Sequence, residues 1–312
     1  MRVLAVSGGG AQGFYAACVL ERVEARVGPL AEVCAAAGGT SIGAALAAGV
    51  ALGVPATVMR AAVRAHAPKI FKPFGAPDPR IEKMVAAARG TARARHRTDP
   101  WRETLEGLLG GARMRDARIP LSIPAINLTE GGRLDVFRSH PLSSSDPDSD
   151  TPVVEAVLAS SAAPTFFRPH RWNGVVYADG GMAANAPDAM LVAEAVRRWP
   201  GQDMAMLSVG TGLSTFMADL GGEMDWGVTQ WVRGNRIANL SMAASQNGPI
   251  SVARTALGER YCRIDTAPTD AERRHIGLDC ASLSALNCLE AMAARVDWSE
   301  FEGWWERSQP QP

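Results

Sequence analysis

The stretch Ala36-Ala37-Gly38-Gly39-Thr40-Ser41-Ile42-Gly43-Ala44-Ala45-Leu46 decides the fold. The apolar run Val33–Ala37 reads as a buried strand, and Ser41–Ala51 reads as a helix packed with small residues. Between them lies a G-x-S-x-G at Gly39–Gly43. A strand that runs straight into a helix forces a tight turn, which projects the central side chain outward; glycines on either side permit the close backbone approach. The serine then sits at a helix N-terminus, where the dipole favours developing negative charge. An ordinary N-capping serine is the competing reading. No charged residue occurs from Val33 to Met59, which invites a membrane span. The run is rich in Ala and Gly, however, and is broken by Gly38–Ser41 and by Pro55, so a buried strand, turn and buried helix fit it better.

Outward from this centre, Arg2–Ser7 reads as a buried strand and Gln12–Val27 as a helix. Gly8-Gly9-Gly10-Ala11-Gln12-Gly13 joins them, and successive glycines leave backbone N–H groups free to face an anion. One use is an oxyanion hole. The other is a dinucleotide fingerprint, since Gly8, Gly10 and Gly13 satisfy G-x-G-x-x-G. That fingerprint needs an acid at the end of the second strand, but this strand ends in Ala36–Gly39 and Glu32 lies at its wrong end. Downstream, Asp179-Gly180-Gly181 follows a strand at Gly174–Ala178, on the kind of edge where α/β sheets place their sites. Alone, it would pass for a turn aspartate.

The remaining segments continue the alternation. Pro120–Leu128 and Arg133–Arg138 form a hairpin around Thr129–Gly132, Val153–Ser160 and Pro187–Arg198 are helices, and Met204–Val209 and Tyr261–Asp265 are strands. Strands alternating with helices predict an α/β architecture with a central, mostly parallel sheet. The polar loop Ser143–Thr151 is the one candidate boundary. Chemistry drawn from both sides of it argues for a single domain over residues 1–312.

At 312 residues, with 47% hydrophobic and 21% charged, the chain has the composition of a soluble globular protein. Lys+Arg and Asp+Glu balance at 32 each, which argues against a nucleic-acid coat. The start carries no signal-peptide pattern. Cys18, Cys34, Cys262, Cys280 and Cys288 show no C-x-x-C spacing, so neither a disulfide framework nor a zinc site is expected. His66, His96, His140, His170 and His275 all lie outside motif-like contexts. Ser41 follows only the second strand, too early for an ordinary α/β-hydrolase. These two facts favour Asp179 acting on the serine directly.

Glycine-rich loop, G-x-S-x-G serine and D-G-G aspartate stand here in the order of the patatin-like phospholipases, which the chain resembles. Ala159-Ser160-Ser161-Ala162-Ala163-Pro164 resembles that family's A-S-x-A-x-P block, Asn185-Ala186-Pro187 its N-x-P, and Ser208-Val209-Gly210-Thr211-Gly212 its S-x-G-T-G. The resemblance covers Arg2–Gly212. It implies a three-layer α/β/α fold and a Ser41–Asp179 dyad. It also implies an oxyanion hole at Gly8, Gly9 and Gly10, and no metal or organic cofactor. Gln12 departs from the pattern, standing where the family usually carries Arg or Lys.

The stretches Gly49–Phe74 and Leu257–Asp265 resemble the cyclic-nucleotide-activated phospholipase effectors of bacterial anti-phage systems. That narrower resemblance implies a membrane phospholipid substrate and a cyclic di- or trinucleotide activator. It also implies peripheral contact with the inner face of the membrane from the cytoplasm, and self-association. The alternatives are a nucleotide-responsive binding protein with a vestigial hydrolase site and an unregulated patatin-like lipase. Arg89, Arg93, Arg95, Arg97 and Arg102 cluster around His96, as a solvated surface or as phosphate contacts. Trp298–Trp305 is expected to pack over the domain edge, because Glu300, Glu302 and Glu306 oppose an anionic membrane.

Overall fold

The structure, a computed structural model, describes residues 1–71, 94–143, 146–147, 149–212, 227–228, 231 and 236–309. In chain order its main elements are β1 (Arg2–Val6), α1 (Gly13–Val27), α2 (Leu30–Val33), β2 (Ala36–Gly39), α3 (Ile42–Leu52), α4 (Ala56–Ile70), α5 (Asp99–Leu109), β3 (Leu121–Asn127) and β4 (Arg133–Arg138). There follow α6 (Val153–Ser160), β5 (His170–Trp172), β6 (Val175–Asp179), α7 (Gly181–Ala184), α8 (Asp188–Arg198), β7 (Ala205–Val209), α9 (Arg236–Leu257), β8 (Tyr261–Ile264), α10 (Asp270–Arg273), α11 (Leu283–Ala294) and α12 (Ser299–Arg307).

The strands form one sheet in the order β5-β6-β3-β2-β1-β7-β8, with β4 also on β3. From β3 through β8 all neighbours are parallel. Alternate side chains of a strand face opposite sides, and β1 shows the consequence. Leu4 and Val6 enter a core built with α1, α3, α4, α11 and α12, whereas Val3 and Ala5 enter a second core with α8 and α9. Helices thus cover both faces, giving the expected three layers.

The charge-free run from Val33 to Met59 is explained by α3, which is buried on every side from Ile42 to Ala51. A helix apolar all round is a core helix when protein surrounds it. Among the described residues, no helix is long and apolar enough to cross a membrane.

The second strand starts later than the sequence suggests. Residues 30–33 form the short helix α2 behind Pro29, and the strand is Ala36–Gly39. Alanine and glycine are weak strand formers. They form one here because β1 and β3 pair with them on either side. The carboxy-terminal aromatics pack as expected: Phe301 and Trp304 are buried, and the Arg2 guanidinium lies 3.9 Å over the Trp305 ring.

Candidate active site

Ser41 sits at the junction of β2 and α3 with φ 56° and ψ −122°. Such a conformation is unfavourable for a residue with a Cβ and persists only where its surroundings enforce it. Its side chain makes no capping hydrogen bond, so the N-cap reading is set aside. The flanking glycines are required by contact. A Cβ on Gly39 would collide with the Gly43 carbonyl, and one on Gly43 with the carbonyls of Val6 and Ser7.

Asp179 reaches the serine by a route that strand order alone does not suggest. One edge of β3 is shared by two strands. Ala37 and Gly38 of β2 pair with Leu121 and Ser122, and β6 then takes over in the opposite direction, pairing Asp179 with Ala125. β2 and β6 therefore meet end to end, and their last residues lead to Ser41 and Asp179. One segment braces both. The Ser41 N–H donates to the Ser160 hydroxyl at 3.0 Å. The Asp179 N–H donates to the Ala162 carbonyl at 3.0 Å, and the Gly180 N–H to the Ser160 carbonyl at 3.2 Å.

The glycine-rich loop forms the third side. Gly8 is its anchor: the N–H donates to the Asn185 carbonyl at 2.8 Å, and its carbonyl accepts from the Thr211 hydroxyl at 3.1 Å and Asn185 Nδ2 at 3.4 Å. This corrects the expectation that Gly8 donates to an oxyanion, because its only N–H is already engaged. The Gly9 and Gly10 N–H groups have no partner among the described residues, and both glycines line a cavity with Ser41 and Asp179. Gly10 adopts φ 55°, and a Cβ there would strike the Leu278 carbonyl.

That cavity has a volume of about 290 Å³, and Phe71, Phe166, Phe167, Ile237 and Met242 supply much of its wall. Ser41 also borders a narrower space of about 40 Å³ that runs toward Val63, Ala67, Ile70 and Trp101. No histidine lines either space among the described residues. Asp179 is buried, and burial pushes its carboxyl up to about 7; the Gly181 N–H, which donates at 2.6 Å, and the Ser41 hydroxyl pull it back part of the way. A carboxyl in this range is half-ionised near neutrality, where a general base is most effective.

The patatin-like phospholipase profile matches residues 4–191. The chain belongs to the patatin-like phospholipase family. A cGAMP-activated phospholipase of Pseudomonas aeruginosa is 31% identical over 294 residues, spanning 92% of this chain and 85% of that protein. A second protein of that name, from Escherichia coli, is 29% identical over 96% of this chain and 90% of its own length. A cUMP-AMP-activated phospholipase of Escherichia coli is 30% identical over 68% of this chain and 65% of that protein.

The accessory motifs of this patatin-like phospholipase now have physical jobs. Asn185 and Thr211 hold the Gly8 peptide, and Ser160–Ala162 holds both Ser41 and Asp179. In the sequence, the only signal of that task is the run of small and hydroxyl-bearing residues in these blocks. Gln12 is buried, and its N–H donates to the Gly9 carbonyl at 3.0 Å. The basic residue usual in the family is thus replaced by a neutral amide inside the loop.

The described arginines of the cluster around His96 are engaged in ion pairs. Arg95 pairs with Asp279 at 2.7 Å, Arg97 with Asp99 at 2.6 Å and Arg102 with Glu155 at 2.6 Å, so these arginines already have anionic partners. Arg89 and Arg93 lie outside the described residues. In the Leu257–Asp265 block, the Arg263 side chain is buried beneath the glycine-rich loop. Its guanidinium donates to Ser7 Oγ at 3.2 Å, Ser208 Oγ at 2.7 Å and Asp265 at 2.7 Å, tying together the ends of β1, β7 and β8. Its charge braces the sheet and is not offered to a ligand.

Proposed function

We propose that Ser41 and Asp179 form the catalytic dyad of a lipid acyl hydrolase that cleaves ester bonds of membrane glycerophospholipids. We further propose that a cyclic nucleotide switches it on in bacterial anti-phage defence. The observation that carries the dyad is the shared brace: Ser160–Ala162 holds the strained serine and the buried aspartate beside an apolar cavity. The Ser41 hydroxyl attacks the ester carbonyl and gives its proton to Asp179. The Gly9 and Gly10 N–H groups receive the negative charge on the carbonyl oxygen. Collapse expels the lysolipid alkoxide, which takes the proton back from Asp179. Asp179 then accepts a proton from water as that water attacks the acyl-serine, and returns it to the departing Ser41 Oγ as the fatty acid is released. The aromatic and aliphatic walls suit acyl chains.

The regulatory half is supported by the relatives, whose names carry two different activators. The reading places the protein in the cytoplasm, acting at the inner face of the membrane, with self-association as part of the switch. A hundredfold activation requires the nucleotide to bind the active state more tightly by about 2.7 kcal/mol. The test is hydrolysis of a fluorogenic phospholipid with and without cGAMP, cUMP-AMP and other cyclic di- and trinucleotides, with sedimentation followed in parallel. Full activity without nucleotide, unchanged by the panel, would leave an unregulated lipase.

A pH profile tests the base. Because Asp179 must be ionised to accept the serine proton, kcat/KM for an uncharged ester should fall as pH drops, with its half-point at about 7. A profile flat between about pH 5 and 8 would remove Asp179 from this role.

A further inference from the structure

We infer that Asp279 is a positioning residue for the oxyanion donors, latching the aromatic wall of the cavity to the glycine-rich loop. The inference rests on the dyad and oxyanion reading above. The loop has two anchors, one on each side of Gly9. Gly8 is fixed by Asn185 and Thr211. On the other side, the Ala11 N–H donates to the Leu278 carbonyl at 2.8 Å, and that same carbonyl closes against Gly10. The height of Leu278 therefore sets where the Gly9 and Gly10 N–H groups point.

Leu278 is in turn held through its neighbour. Asp279 Oδ2 accepts from Arg95 Nη1 at 2.7 Å, and His96 Nε2 stands 3.6 Å away, too far for a hydrogen bond. Arg95 and His96 stand behind the wall and hold it without lining the cavity. Their N–H groups donate to the carbonyls of Thr165 and Phe166 at 3.0 and 2.8 Å. The His96 ring stacks on Phe166 at 6.2 Å and meets the edge of Phe71 at 5.6 Å. Both ring nitrogens of His96 are buried without a hydrogen-bond partner, so the Asp279 carboxylate is the charge that this polar ring faces. The nearby His96 imidazole and the Arg95 guanidinium hold the Asp279 carboxyl down to about 2, against the opposing effect of burial. It stays ionised while Asp179 titrates.

Wall, Arg95–His96, Asp279, Leu278 and Gly10 thus form one continuous chain of contacts. An oxyanion hole acts only if its donors are held in place before the charge develops. A misplacement of about 1 Å costs roughly a hundredfold in rate. Releasing the second anchor should therefore cost turnover more than binding.

The test compares Asp279→Asn, Asp279→Ala and Asp279→Glu with the parent protein on a neutral ester, active sites being counted by fluorophosphonate titration. We expect kcat to fall roughly 10- to 100-fold in the Asn and Ala variants, with KM within about twofold, and partial recovery with Glu. Affinity for a trifluoromethyl ketone, which forms a tetrahedral adduct on the serine, should fall in parallel. Affinity for the methyl ketone of the same chain should not. Arg97→Ala, in the exposed pair with Asp99, should change none of these. Should Asp279→Ala fail to fold, the near-isosteric Asn carries the comparison. An unchanged kcat per titrated site in Asp279→Asn, or equal losses for both ketones, overturns the latch. If Ser41→Ala is inactive while Asp279→Asn is fully active, the latch alone fails. If Ser41→Ala keeps its turnover, the dyad itself fails.

Discussion

Ser41→Ala should lose phospholipid hydrolysis by at least about 10⁴-fold, the scale on which removal of a nucleophile acts. Labelling by a fluorophosphonate should vanish with it. The fold should be nearly indifferent. The hydroxyl caps no helix, and alanine meets the same backbone restriction at φ 56° that serine already meets. A melting temperature within about 3 °C of the parent is expected, in line with a change of a few tenths of a kcal/mol. A well-folded Ser41→Ala protein that keeps most of its turnover would falsify the nucleophile assignment.

Asp179→Asn should be nearly as damaging to turnover, since an amide cannot accept the serine proton, yet it should stabilise the protein at neutral and alkaline pH. The sign follows from linkage. The carboxyl titrates at its ordinary value of 3.8 when unfolded and at about 7 when folded, so between these values the native state holds a proton that the unfolded state has released. Stability therefore declines as pH rises through this window, and the full cost of a buried charge is present above it. Asparagine carries no charge to bury and can still accept from the Gly181 N–H. The difference in melting temperature, variant minus parent, should be close to zero at about pH 4 and grow to roughly 5 °C or more at about pH 8. A difference that stays constant with pH would remove the buried-charge argument. A loss as large as that of Asp179→Asn on replacing His66, His96, His140, His170 or His275 singly would substitute a triad for the dyad.

What the sequence disclosed is what local sterics dictate. Gly39 and Gly43 flank a turn with no room for a Cβ, Gly10 needs a left-handed backbone, and such positions admit few residue types, so they can be read without coordinates. The alternation of strands and helices fixed the layer architecture for the same reason. The parts that stayed hidden depend on distant partners. Whether Gly8 or Gly9 has a free N–H is decided by a carbonyl at Asn185. Whether Arg95 and Arg102 are available is decided by Asp279 and Glu155. The direction of β6 is equally invisible: Asp179 looked like a residue on the common carboxy-terminal edge of a parallel sheet, but it arrives from a strand running the other way. The start of β2 was missed because Ala36–Gly39 has no strand propensity of its own and is recruited by its neighbours.

The bracing of the glycine-rich loop has a consequence for biosynthesis. Both of its halves are supported from far downstream: Ser7 leans on Arg263, 256 residues later, and Ala11 on Leu278. Domains fold as units during translation, and contacts this far apart in sequence form late. A ribosome-bound chain ending near Val209 would already contain Ser41 and Asp179, but the loop meant to receive the oxyanion would have no floor. Arrested chains of increasing length, probed with a fluorophosphonate, should stay unlabelled until β8 and the Leu278 turn have emerged. A lipid-degrading activity built this way would stay disarmed throughout its own synthesis, whether or not an activating nucleotide is present.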